Sequence, residues 1–213
     1  MAGSNEFSPR DLLESSPELS SRQSSPASTV QAEEEVDVQE LDIDHGVNKI
    51  EWEDVKVYLE DNNLDYFFRL PSVMKKYSED GVVMKATYGS VAGKLKALLK
   101  WEDFIAKGNL FSHQEDFKFT YNNYPYAWED GVVHLVVWCK FALPDDPETG
   151  RIAGYVSGAI EKLLAIKCAN HKDELLWWRN PPHLKSVPEL EHFHILLRNP
   201  SAEFLTELNP VKG

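Results

Sequence analysis

Between Trp177 and Arg198 the chain sets two apolar, strand-like runs on either side of a connection broken by Pro181, Pro182 and Pro188, and the second run opens His192-Phe193-His194. Successive side chains on a strand alternate faces, so His192 and His194 share one face while Phe193, Ile195 and Leu197 take the other. That pattern demands a sheet with one apolar side and one side carrying two imidazoles.

The rest of the chain supplies what such a sheet needs. Val132 to Lys140 is the clearest strand, with Val133, Leu135, Val137 and Cys139 on one face and His134, Val136 and Trp138 on the other. Phe117, Phe119 and Tyr121 alternate with polar residues and predict another extended segment. From Ile152 the residues Tyr155, Val156, Ala159, Ile160, Leu163 and Leu164 recur at helical spacing and predict a long amphipathic helix packed on the sheet. The order strand, helix, strand, strand, with the last two antiparallel, makes a compact α+β unit. Upstream, Trp52, Val55 and Leu59 mark a short helix closed by Asp61-Asn62-Asn63, and Pro71 interrupts the next apolar run, leaving a turn or two from Ser72 to Tyr77. Ser90 reads as the cap of a helix burying Val91, Leu95, Leu98 and Leu99, and Phe204 and Leu208 mark a short final helix. The expected fold class is therefore α+β: a helical N-terminal part packed on a small, mostly antiparallel sheet with one long helix.

At 213 residues and 42% hydrophobic, the chain suits a single core. The net charge of −13 is uneven. Residues 1–48 hold eleven Asp/Glu against two Arg, a net of −9, which leaves −4 for the remainder. Residues 1–45 are expected to be a disordered, acidic, Ser/Pro-rich tail, with Ser8-Pro9, Ser16-Pro17 and Ser25-Pro26 suited to proline-directed kinases, and 46–213 a single globular α+β domain. Acidity without a basic patch argues against nucleic acid or an anionic membrane as partner. Two cysteines, no signal-peptide pattern and no membrane-length apolar run point to the cytoplasm.

Two imidazoles roughly 7 Å apart on one strand face can share a phosphate, one attacking and the other hydrogen-bonding. His192 and His194, with Ser186 just upstream as an anion donor, are the candidate catalytic residues. Lys185 supplies a point charge, Asn180 an amide for a hydroxyl, Trp178 a stacking surface and His134 a third imidazole, and these four are the candidate ligand-binding residues. A metal site would need His134 or Glu191 as third ligand, and Glu191 faces the other way on a regular strand, so no metal and no cofactor is expected.

The block from Trp177 to Leu197, with Asn122-Asn123-Tyr124-Pro125-Tyr126 and His134 to Lys140, closely resembles the fungal N-acetylglucosamine-induced protein family, a domain of unknown function, over about residues 50–200. That resemblance implies a fungal, cytosolic protein tied to amino-sugar metabolism. A weaker resemblance is to the histidine-triad superfamily, on strand-helix-strand-strand order and Ser186-Val187 ahead of His192 and His194. It implies a nucleotidyl hydrolase or transferase with a histidine-triad-like fold, acting on a phosphate-bearing small molecule or nucleotide sugar. Leu190 or Leu196 stands where a third triad His would, so His194 is the nucleophile in one register and His192 in the other. The alternative is a non-catalytic regulatory or ligand-binding module.

Overall fold

Alternation along Val132–Cys139 decides where every layer goes. In a computed structural model describing residues 43–212, this strand is β2, and it sits beside β1 (Phe117–Tyr121) on one edge and β4 (Glu191–Arg198) on the other, with β3 (Leu175–Trp178) beyond β4. All three pairings are antiparallel, with Phe119 opposite Val137, Val136 opposite His194 and Trp178 opposite His194. The strand order is β1-β2-β4-β3.

One face is apolar throughout. Phe117, Phe119, Leu135, Val137, Phe193, Ile195 and Leu197 meet Val156, Ile160, Leu163 and Leu164 of α4 (Gly154–Lys167) and Phe204 of α5 (Ala202–Leu208). Fully burying each such side chain contributes about 1.5–3 kcal/mol, which makes this layer the main stabilising term. Ser201 caps α5 by accepting from the Phe204 N–H at 3.1 Å. Tyr155, expected on the buried stripe, is instead 68% exposed, because a residue one step ahead of Val156 falls on the solvent side of α4.

The histidine face is covered by the N-terminal helices. α1 (Trp52–Glu60) lays Trp52 and Val55 against Trp128, Trp178 and Leu196, while α3 (Val91–Leu99) lays Leu95 and Leu99 against Val136 and Trp138. Between them runs α2 (Pro71–Tyr88), which begins with Pro71 in its first turn, ends on Gly89 at φ 76° and packs on α3. It is far longer than the turn or two expected after Pro71. Its length escapes the apolar period because only Met84 is buried, while Val82 and Val83 are 71% and 62% exposed. The sheet is thus sandwiched by helices, α+β with an antiparallel sheet as expected, although α2 rather than α4 is the longest helix.

The expected tail, with its three Ser-Pro sites, falls almost wholly on residues 1–42, which lie outside the described residues. Among the described residues, no helix is long and apolar enough to cross a membrane.

Candidate functional site

β2 and β4 lie side by side, so the face shared by Val136, Trp138, His192 and His194 also receives His134, two residues back along β2, and Trp178 from β3. All three imidazoles are buried. Their neighbours, however, treat them differently.

His134 and His194 form a closed relay. The Trp128 indole N–H donates to His134 Nδ1 at 3.0 Å, so the neutral ring carries its proton on Nε2 and donates it to His194 Nδ1 at 2.9 Å. His194 then carries its own proton on Nε2, which faces the Asn180 amide nitrogen at 3.1 Å. That amide cannot turn over, because its Oδ1 accepts from the Trp178 indole N–H at 2.9 Å and its nitrogen reaches Tyr126 Oη at 3.3 Å and the Leu184 carbonyl at 3.5 Å. Two donors therefore meet at the last gap, and the relay already holds one proton more than its contacts accept. Trp178 also stacks on His194 with ring centres 4.9 Å apart and planes 11° from parallel.

Electrostatics follows from this. Burial, helped by the nearby Arg69 charge, pulls His134 down to about 3 from an ordinary 6.5. Burial also pushes His194 well below its usual value, with His134, His192 and Arg69 adding to the effect. Neither ring of the pair can act as an acid near neutral pH, and neither has a nitrogen left to attack anything.

His192 is the exception. Its Nδ1–H donates to the Leu190 carbonyl at 2.9 Å, which fixes the tautomer and leaves the Nε2 lone pair with no protein partner among the described residues. Burial lowers its pKa, with the Lys185 and Arg179 charges acting in the same sense, so the ring is neutral and the lone pair available. Its ring packs on Trp138 at 4.6 Å between centres.

A cleft opens over His192. It encloses about 250 Å³ between the sheet and the α2–α3 pair, close to the ~300 Å³ lower end of small-ligand sites. The floor is Val136, Trp138 and His192 with Leu95 and Val187, and His194 reaches its edge. Asn122, Asn123 and Tyr124 form one wall, and Arg69, Lys94 and Gly81 belong to the helical side. No carboxylate lines it. Gly81 lies within α2, where a Cβ would meet nothing within 4 Å, so packing does not require glycine there.

Of the sequence candidates, His192, His194 and Ser186 share the cleft, Ser186 at its exposed margin. Asn180, Trp178 and His134 are drawn together, in the buried relay behind it. Lys185 is held in an ion pair, its Nζ 2.9 Å from both oxygens of Glu191, with the lysine side chain 7% exposed. Among the described residues, no group of three His, Cys, Asp or Glu is placed to hold a metal. Sequence reasoning missed Trp128, Tyr126, Arg69 and Lys94. The first two sit in the turn-rich segment beside Asn122–Tyr124, and only the strand order shows that this segment folds back over His134.

A family model described as Protein of unknown function (DUF3605) matches residues 51–198. N-acetylglucosamine-induced protein 1 of Candida albicans is 24% identical, with 74% of this chain and 71% of that protein covered. An uncharacterized protein of Saccharomyces cerevisiae is 28% identical, with 73% and 82% covered. The crystal structure of HTC1 superposes with a TM-score of 0.57 at 25% identity, covering 75% of this chain and 93% of that one.

Proposed function

This chain belongs to the DUF3605 family, and on that footing we propose that its cleft binds a small phosphate-bearing molecule, a phosphorylated amino sugar or nucleotide sugar, over the open face of His192. The observation that carries this reading is the acid-free cleft itself, with a free imidazole Nε2 in its floor and two cations on its helical side, in a chain of net charge −13. The amino-sugar part rests on the likeness to the Candida protein, whose name records its induction by N-acetylglucosamine. A cytoplasmic setting fits the two buried cysteines, Cys139 and Cys168, which remain free thiols.

Titration calorimetry with N-acetylglucosamine, its phosphate ester and its uridine diphosphate conjugate tests the reading. The phosphorylated forms bind and the bare sugar binds weakly. Absence of binding by all three at millimolar concentration overturns it.

A second reading, phosphoryl or nucleotidyl transfer of the histidine-triad kind, is favoured by one observation, the unshared lone pair on His192. In that step Nε2 would bond to phosphorus while the leaving oxygen departs with its bonding pair. The nucleophile is then His192 and not His194, whose nitrogens are both occupied. Acid-labile phosphate or nucleotide on the protein after incubation with substrate, absent from His192→Gln, is the expected sign.

A further inference from the structure

The cleft has a polarity that the His-x-His strand alone would not suggest. Its floor is built from Leu95, Val136, Trp138 and Val187, all buried, with the neutral His192 beside them and Thr120 and His194 also in the lining. Its charges lie elsewhere. Arg69, just ahead of α2, and Lys94, on α3, are half-buried at the wall, and among the described residues neither has a carboxylate within ion-pair distance. Asp80, whose carboxylate feels the Lys94 charge, is engaged by Lys76 Nζ at 2.7 Å and Tyr124 Oη at 2.9 Å.

Arg69 is also held in place. Its Nε–H donates to the Tyr124 carbonyl at 2.8 Å, and its guanidinium lies 4.6 Å from the ring centre of Tyr126 and 5.5 Å from that of Tyr77. A guanidinium clamped between a carbonyl and two aromatic rings keeps its remaining N–H groups in a fixed fork, which suits a phosphate or carboxylate. By contrast, Lys185, just upstream of the histidine strand, is already neutralised by Glu191.

We infer that the ligand is an amphiphilic anion bound in one direction: its anionic group is gripped at the rim by Arg69 and Lys94, and its uncharged, flat or apolar part lies on the Trp138–His192 floor. This rests on the cleft being the binding site and makes the helices, rather than the His-x-His strand, the anion-binding element. The glycine at position 81 fits the same picture. It leaves the helical wall open where a ligand passes between rim and floor, at a position where the protein's own packing would accept a Cβ.

The test uses two probes that share a ring system and differ in charge, naphthyl phosphate and naphthol, titrated into the full chain with fluorescence detection. Naphthyl phosphate binds about tenfold more tightly than naphthol, since a charge-assisted hydrogen bond in a partly desolvated site is worth roughly one power of ten in affinity. Lys94→Met and Arg69→Met each reduce that preference. The Lys94 side chain makes no hydrogen bond among the described residues, so its variant keeps the test valid even where Arg69→Met loosens Tyr124 and Tyr126. Equal affinity for the two probes, or a preference that survives both substitutions, overturns the rim assignment and leaves the cleft reading standing. Failure of both probes to bind overturns the cleft reading as well.

Discussion

Lowering the pH should destabilise this protein well before its carboxylates titrate, and the size of the effect can be worked from the histidine relay. A group whose folded pKa lies below its unfolded value stabilises the fold above the unfolded pKa, and that stability is lost as pH falls toward the folded pKa. His134, ordinarily near 6.5, is held at about 3, and His194 is pushed down in the same direction. Between about pH 7.5 and about pH 5.5, an imidazole that ionises only in the unfolded chain therefore lowers stability by about 1.4 kcal/mol. The relay pair accounts for roughly 3 kcal/mol, and His192, also lowered, adds up to as much as one more such group. Domains of this size are stable by roughly 5–15 kcal/mol, so the loss is large. Asp80, Asp103, Glu115 and Asp146, all with lowered pKa values, lose their contributions only as pH falls through the carboxylate range, below this window. Urea titrations at a series of pH values should show the midpoint falling steeply below pH 6.5 with an unchanged dependence on urea. His194→Gln should be less stable throughout, yet shallower in pH by about one imidazole. A flat midpoint, or a ring proton of His134 or His194 titrating near 6.5 in the folded protein, refutes the reasoning.

Three other outcomes follow from the same contacts. Gly81→Ala should stabilise the protein by about 0.5–1 kcal/mol through helix propensity, yet weaken binding in the cleft; a variant that is more stable and binds as before removes Gly81 from the site. Asn180→Asp places an acceptor opposite both the Trp178 indole and His194 Nε2–H, so the pKa of His194 should rise, as read from its ring nitrogen shifts. Leu99→Ala, at a fully buried position under Trp138, should cost about 2–5 kcal/mol in chemical denaturation.

The sheet was legible because alternation survives from sequence to structure. β2, β4, β3 and α4 all lie where their apolar periods place them, and the face assignments of Val133 to Cys139 and of His192 to Leu197 hold residue by residue. What could not be read was strand order. Nothing local in Val132–Cys139 says that it pairs with Glu191–Arg198, and that pairing alone brings His134 within hydrogen-bonding distance of His194, 60 residues away. α2 hid for a different reason. Its helix is held by Pro71, the Gly89 cap and contact with α3 more than by a buried stripe, so periodicity had nothing to find. Arg69, just ahead of this hidden helix, was illegible with it, and Lys94, though on the predicted α3, is brought to the cleft only by the packing of α2 on α3.

His192 and His194 look equivalent as a motif, and the register makes them opposites. Val136 opposite His194 leaves His134 one step further along the same face, where its ring closes the relay; Trp138 opposite His192 leaves that ring beside an indole, with its Nδ1 turned back to the Leu190 carbonyl and Nε2 facing the cleft. A double substitution would therefore mix two unlike losses. Taken singly, His194→Gln should strip the acceptor from His134 Nε2–H and cost about 1–3 kcal/mol of stability, with ligand affinity changed little. His192→Gln should cost less stability, because only one hydrogen bond to a carbonyl is at stake, and should abolish whatever contact or chemistry the cleft supports. Unfolding curves and binding isotherms on the same two proteins separate these outcomes. If the pattern is reversed, with His194→Gln folding normally and failing to bind, the relay is the site and the open lone pair of His192 is incidental.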